Sequence, residues 1–158
     1  MNPLPLALGA DHVGYDLKEA VKAYLTERGA AFHDYGTHSR DRTDYPLFAE
    51  EVARAVQAGT AAGGILICGT GVGMSIAANK LAGIRAVVCS EPYSAALSRQ
   101  HNDSNVVTFG AQVVGPGLAR LIVAAWLDAE FEGGRHAPRV AMIAKLERAA
   151  AEAKEAAR

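Results

Sequence analysis

Two hydrophobic rhythms alternate along this chain: short unbroken apolar runs, and longer stretches in which an apolar residue returns every three or four positions. Residues 4–9 form the first unbroken run, the pattern of a strand covered on both faces. Residues 15–28 then carry Leu17, Val21, Tyr24 and Leu25 on one helical stripe, and Gly29 supplies a stop signal. A weaker strand at 31–35 leads into a polar loop at 38–44. Pro46 and Gly59 bracket a helix through Phe48, Val52 and Val56. Residues 65–68 read as the third strand with a helix at 72–81, and 84–89 as the fourth with a helix at 92–100. Val106–Gly110 reads as the fifth, with a helix at 117–131.

Strands alternating with helices of this length predict βαβ units, hence an α/β sandwich with a five-stranded parallel sheet and helices on both faces. The third run, Ile65, Leu66 and Ile67 closed by Cys68, is continuously apolar and belongs in the middle of that sheet. Ligands of such sheets bind beyond the carboxyl ends of the strands, at a topological switch point. That rule selects Asp11 and His12, Cys68 to Gly73, and Ser90 with Glu91. The tail breaks the pattern: Glu-Gly-Gly-Arg-His-Ala-Pro-Arg at 132–139 precedes an extra helix from residue 140 to the end. Its apolar positions, Val140, Ile143, Ala144 and Leu146, fill only two turns. Such a helix packs either on its own domain or against a second subunit.

Composition narrows the partners. The 158 residues fit one domain spanning 1–158, and half of them are hydrophobic. A net charge of −1, with no run of Lys or Arg, argues against nucleic acid and against a membrane surface. The two cysteines, Cys68 and Cys89, make no disulfide framework, and no apolar stretch approaches the roughly 20 residues of a membrane span. The expected compartment is the cytoplasm.

The chemistry concentrates after the third strand, in Cys68-Gly69-Thr70-Gly71-Val72-Gly73. A cysteine closing a buried strand is ordinarily a small hydrophobe. Packing alone, however, does not call for three alternate glycines. A glycine turn opening a helix presents a row of backbone N–H groups to an anion or developing oxyanion, and its dipole favours a thiolate. Cys89 has no such turn and reads as structural. Asp11 serves either as the cap of the next helix or, with His12, as part of a site. His101 reads as a helix C-terminal histidine, with Asn102 closing that helix in a left-handed conformation. Arg135 and Arg139 flank Gly134 and Pro138 and suit a phosphate. No His, Cys, Asp or Glu set shows metal-ligand spacing, so no metal is expected.

Taken as a set, Asp11-His12, Arg42 to Pro46, Gly63 to Gly73, Ala77 to Lys80, Glu91 to Ser94, Ser98 to Asp103 and Gly133 to His136 resemble the type B ribose-5-phosphate isomerases, in register from about residue 6 to 140. The resemblance implies a Rossmann-like fold, a homodimer (with a tetramer as the larger alternative) whose sites draw on both subunits, and no cofactor. The helix at 137–158 is then expected at the dimer interface. The resemblance further implies interconversion of ribose 5-phosphate and ribulose 5-phosphate through a cis-enediolate. Cys68 is then the base, and the amides of Gly69, Thr70, Gly71, Val72 and Gly73 hold the enediolate oxygen. Thr70 shuttles the proton. His101 with Asp11 opens the ring, Asn102 contacts hydroxyls, and His12, Arg135 and Arg139 bind phosphate. Met74 stands where a second subgroup carries a glutamate base, which leaves Cys68. Gln112 replaces an arginine frequent in the family, which opens the door to a six-carbon sugar phosphate (allose or galactose 6-phosphate). Two rivals remain from the residues alone: a cysteine phosphatase, which needs an arginine at position 74, and a nucleotide-binding module, which needs its glycine turn after the first strand.

Overall fold

The computed structural model describes residues 4–157. Five parallel strands, β1 (Leu6–Ala10), β2 (Phe32–Asp34), β3 (Gly63–Cys68), β4 (Ala86–Val88) and β5 (Val106–Gly110), pair in the order β2-β1-β3-β5-β4. Helices α1 (Tyr15–Glu27), α2 (Tyr45–Gln57), α3 (Val72–Ala78), α4 (Pro92–Asn102) and α5 (Pro116–Asp128) follow the strands in turn. A 3₁₀ turn (Gly134–His136) and α6 (Ala137–Ala156) complete the chain. The expected α/β sandwich is present, and β3 is central because Ile65, Leu66 and Ile67 have no exposed face. Strand order reverses between β1 and β3, so the switch point lies between the carboxyl ends of those two strands.

Two apolar layers sandwich the sheet. Leu17, Val21 and Leu25 of α1 and Ile122, Val123 and Trp126 of α5 pack on one face with Leu8, Ile65, Ile67 and Phe109. On the other, Val52 and Ala53 of α2 and Met74 and Ala78 of α3 cover Ala7, Leu66, Cys68 and Val106. Burying each such aliphatic side chain stabilises the fold by about 1.5–3 kcal/mol. Trp126 is buried among them: its ring lies over the α-carbon of Gly63, its Nε1–H donates to Ser104 Oγ (2.9 Å), and the Arg99 guanidinium stacks on it. Trp126→Ala is expected to cost about 3–5 kcal/mol. Thermal unfolding followed by circular dichroism should show a midpoint lower by roughly 10 °C.

The boundaries differ from the sequence pattern in instructive places. Strand β3 starts at Gly63 rather than Ile65, because Gly63 and Gly64 pair with Leu6 and Ala7 of β1, and Trp126 and Val52 occupy the space side chains there would need. Helix α6 starts at Ala137, with Pro138 in its first turn where a missing N–H costs nothing. It packs only lightly on its own chain: Val140 and Ala144 are half-buried, none of its residues is fully buried, and Met142, Ile143 and Leu146 are exposed. Its main anchor is the Gly83 N–H, which donates to both oxygens of Glu147 (3.0 Å each). No helix among the described residues is long and apolar enough to cross a membrane.

Candidate active site

The turn after β3 is held tightly. Gly71 takes φ = +82°, and a side chain there would strike the Phe109 backbone at 2.8 Å, so only glycine fits. Its carbonyl accepts from Thr108 Oγ1 (2.9 Å) and its N–H donates to Cys68 Sγ (3.1 Å). The sulfur therefore faces a main-chain donor, an interaction that strengthens when the sulfur carries negative charge. Cys68 is only 5% exposed, whereas Thr70 is exposed beside it and accepts from the Val72 N–H (3.3 Å). Gln112 leans over the turn, with its own N–H donating to the Gly69 carbonyl (3.0 Å). Cys89, the other thiol, is 2% exposed with no such turn, and burial pushes it up to about 11. It is structural.

Across the switch point, Asp11 and His12 leave β1. Asp11 is buried, and its Oδ1 accepts from the N–H groups of Val13 and Gly14 (3.0 Å each), so it shapes the turn into α1. Its second oxygen, Oδ2, has no protein partner among the described residues. The helix itself begins after Gly14 with no side-chain cap, so Asp11 stabilises the turn before it rather than capping α1. His12 is fixed from outside its own segment: its N–H donates to Thr43 Oγ1, and the Thr43 N–H donates back to His12 Nδ1, both at 3.2 Å. Nδ1 therefore holds a lone pair, and the ring presents an Nε2–H donor outward. The loop that delivers Thr43 is itself tied down. Asp34 accepts from fully buried Lys18 (2.5 and 2.6 Å) and from the Gly36 N–H (2.9 Å). Burial works against that carboxylate's charge, but the Lys18 and Lys22 ammonium groups outweigh it and hold Asp34 below the usual carboxylate range. Tyr45, one residue past the loop, lays its ring on the α-carbon of Gly73, at the edge of the amide row. Nothing in the residue pattern marks Thr43 or Tyr45 as site neighbours beyond their place in the Arg42 to Pro46 motif.

The remaining candidates lie elsewhere. His101 and Asn102 end α4, which runs antiparallel to the strands. Asp103 beyond them pairs with Arg85 (2.7 Å), just ahead of β4. This is the amino-terminal edge of the sheet, where the Asn105 carbonyl accepts from Gly64 at the start of β3. β3 is six residues long, which at about 3.3 Å per residue puts the two edges on the order of 15 Å apart. One chain thus assembles Asp11, His12, Gln112 and the Cys68 turn at one edge, and His101, Asn102, Arg135 and Arg139 toward the other. Contrary to the expectation for Asn102, it is Asp103 (φ = +51°) that adopts the left-handed conformation, because its carboxylate and carbonyl both hold Arg85.

A cluster the spacing did not reveal surrounds His101. Its ring stacks on His136 (centroids 4.1 Å apart, planes within 5°), and Glu132 Oε2 lies 4.0 Å from His101 Nε2 and 3.7 Å from His136 Nε2. Burial, with the charges of His101 and Arg135, holds the His136 imidazole below the usual histidine range. Against the expectation that no ligand set forms, these three side chains bring one donor atom each to within 4.8 Å of one another. Arg135 and Arg139 are exposed beside them.

A parallel α/β sandwich with a cysteine facing main-chain amides at its switch point is the build of an enzyme acting on a small anionic molecule. Met74, where a cysteine phosphatase would need its arginine, is fully buried in the core, and the glycine turn follows the third strand. The ribose/galactose isomerase family matches residues 6–143. Ribose-5-phosphate isomerase B of Escherichia coli is 63% identical over 142 residues, covering 90% of this chain and 95% of its relative. D-erythrulose-4-phosphate isomerase of Pectobacterium atrosepticum is 46% identical, covering 91% and 95%. The solved ribose-5-phosphate isomerase B of Clostridium thermocellum superposes with a TM-score of 0.90 at 50% identity, covering 92% and 98%. The chain belongs to the ribose/galactose isomerase family, and it is an aldose–ketose isomerase.

Proposed function

We propose that this isomerase interconverts ribose 5-phosphate and ribulose 5-phosphate with Cys68 as its base. The observation that carries the assignment of the base is the Gly71 N–H aimed at the Cys68 sulfur, in a turn where Thr70 and Val72 are exposed. His101, with Asp11, takes the proton from the anomeric hydroxyl and returns one to the ring oxygen, so that the C1–O4 bond breaks and an aldehyde forms. Cys68 then removes the proton on C2. The electron pair moves into a C1–C2 double bond, and the amides from Gly69 to Gly73 take up the charge on O1, the kind of interaction usually worth most in such reactions. Thr70 relays the hydroxyl proton from O2 to O1, and Cys68 returns its proton to C1. Asn102 contacts sugar hydroxyls, while His12, Arg135 and Arg139 hold the phosphate. Deuterium uptake from solvent at C1 during turnover, followed by NMR, tests the enediolate, since a thiol that exchanges with water before returning its proton leaves label there; complete transfer of the C2 proton to C1 at every temperature and pD favours a hydride shift instead.

Each site in this reading is completed by a second copy of the chain. The separation of the two residue groups across the sheet supports it, as does the unburied apolar face of α6 (Met142, Ile143, Leu146). The helix from 137 onward is then an interface element. A cytoplasmic homodimer is the resulting assembly, with a tetramer as the larger alternative.

Gln112 favours attention to a second reading, a sugar phosphate of another length. It stands over the turn where an arginine would add a charge-assisted contact, and one relative acts on a four-carbon substrate. Gln112→Arg is expected to tighten binding of ribose 5-phosphate by roughly tenfold or more, the equivalent of about 1.5–3 kcal/mol. Initial rates across erythrulose, ribose, allose and galactose phosphates, for both forms, rank the substrates. A preference for a six-carbon sugar would replace the pentose assignment.

A further inference from the structure

His101, Glu132 and His136 form a donor set that the isomerase reaction does not use as such: two imidazoles and a carboxylate, the ligand composition of an open zinc site. We propose that this cluster binds a divalent transition-metal ion of the Zn²⁺ class, and that the ion, by occupying His101, is a competitive inhibitor. The site is a regulatory or poisoning site, not a cofactor site.

The geometry comes close to what such an ion needs. Zn–N and Zn–O bonds of about 2.0–2.2 Å in a tetrahedron set ligand atoms roughly 3.3 Å apart. Here Glu132 Oε2 already lies 3.7 Å from His136 Nε2 and 4.0 Å from His101 Nε2, and no pair among the three donor atoms exceeds 4.8 Å. Closing these gaps takes about 0.4–0.7 Å for the carboxylate and up to about 1.5 Å between the rings. The tautomer is suitable as well. Arg135 Nε donates to His136 Nε2 (3.3 Å), so that nitrogen carries the lone pair a metal requires. The ion displaces this long hydrogen bond. The parallel stack must also open, since the lone pairs of two parallel rings do not converge on one point. His101 has the freedom to tilt: it sits half-buried in the last turn of α4, and Glu132 is exposed. His136, buried at the end of the 3₁₀ turn, is the fixed ligand. Three protein ligands leave a fourth position open to water or to a substrate oxygen. The neighbouring Arg135 and Arg139 charges oppose a cation, so the expected affinity is that of an inhibitory site rather than of a resident metal.

Competition with substrate rests on the proposed role of His101, whereas metal binding does not, and the test separates the two. The full-length protein is titrated with Zn²⁺ by calorimetry, alongside Glu132→Gln, which is exposed and spares the core, and His136→Asn. One ion per chain is expected, bound at least about tenfold more weakly by each variant. Co²⁺ in place of Zn²⁺ should give visible bands without a thiolate-to-metal charge-transfer band. Equal affinity in wild type and Glu132→Gln, or a thiolate band reporting Cys68 as a ligand, overturns the site. In steady-state assays Zn²⁺ should raise KM for ribose 5-phosphate at constant kcat, and Glu132→Gln should need at least tenfold more Zn²⁺ for the same effect. Zinc bound at the cluster with KM unmoved overturns the inhibition alone. Absence of turnover by the metal-free enzyme counts against the proposed substrate instead.

Discussion

Cys68→Ala is expected to lower kcat by about 10³-fold, within the 10²–10⁴ range attributed to one positioned general base, while substrate binding changes by less than about threefold. The reason lies in what the substitution leaves intact. The glycine turn is held by its own main chain: Thr108 Oγ1 on the Gly71 carbonyl, the Gln112 N–H on the Gly69 carbonyl, the Ala111 N–H on the Cys68 carbonyl. None of these contacts involves the sulfur. The Gly71 N–H loses its acceptor but stays where an enediolate oxygen can take its place. Removing one buried sulfur costs about 1 kcal/mol of stability, too little to unfold the chain. Steady-state kinetics give kcat, and calorimetry with ribose 5-phosphate gives Kd for the stalled variant. If Cys68→Ala keeps more than a tenth of the wild-type kcat, the sulfur is not the base. Cys68→Ser discriminates further, because a hydroxyl keeps the hydrogen-bond geometry yet is a far weaker base when ionisation is required. It should therefore resemble alanine in rate.

What the sequence displayed follows from range of contact. The order of elements, the central strand and the cysteine turn were legible because each depends on residues close in the chain. Unbroken apolar runs mark doubly covered strands, and a glycine turn marks a close approach. Gly71 illustrates the limit: its presence announced a special backbone, but not that Phe109 is the neighbour forbidding a side chain. The reciprocal Thr43–His12 pair spans 31 positions, and the His101–His136 stack joins the end of α4 to a 3₁₀ turn beyond α5. No local pattern encodes such pairings, since they exist only once the sheet order is set. The same holds for α6, whose apolar residues were visible while the exposure of Met142, Ile143 and Leu146 was not. Asp103 in place of Asn102 shows a tertiary contact overriding propensity: both residues tolerate the left-handed region, and Arg85 decides between them.

Mixing two inactive variants should restore activity. In the proposed two-fold symmetric dimer each chain would lend its Cys68 turn to one site and its His101 group to the other. A Cys68→Ala homodimer then lacks the proposed base in both sites. A His101→Asn homodimer lacks the ring-opening group in both, for an expected loss of about 10²-fold on the cyclic sugar. A heterodimer of the two concentrates both lesions in one site and leaves the second native. Equal mixing with random reassociation makes about half the dimers mixed, each with one native site of two, so activity should recover to about a quarter of wild type. Heterodimers isolated through two affinity tags should reach about half. The readout is specific to the shared arrangement. If the Cys68 turn instead met its own chain's His101, every site in every mixture would carry one lesion or the other. Mixing would then return only the average of the two parents. The roughly 15 Å between the sheet edges makes that outcome require a rearrangement of α4 against β5, which the buried Ser98–Ser104 and Trp126–Ser104 hydrogen bonds oppose.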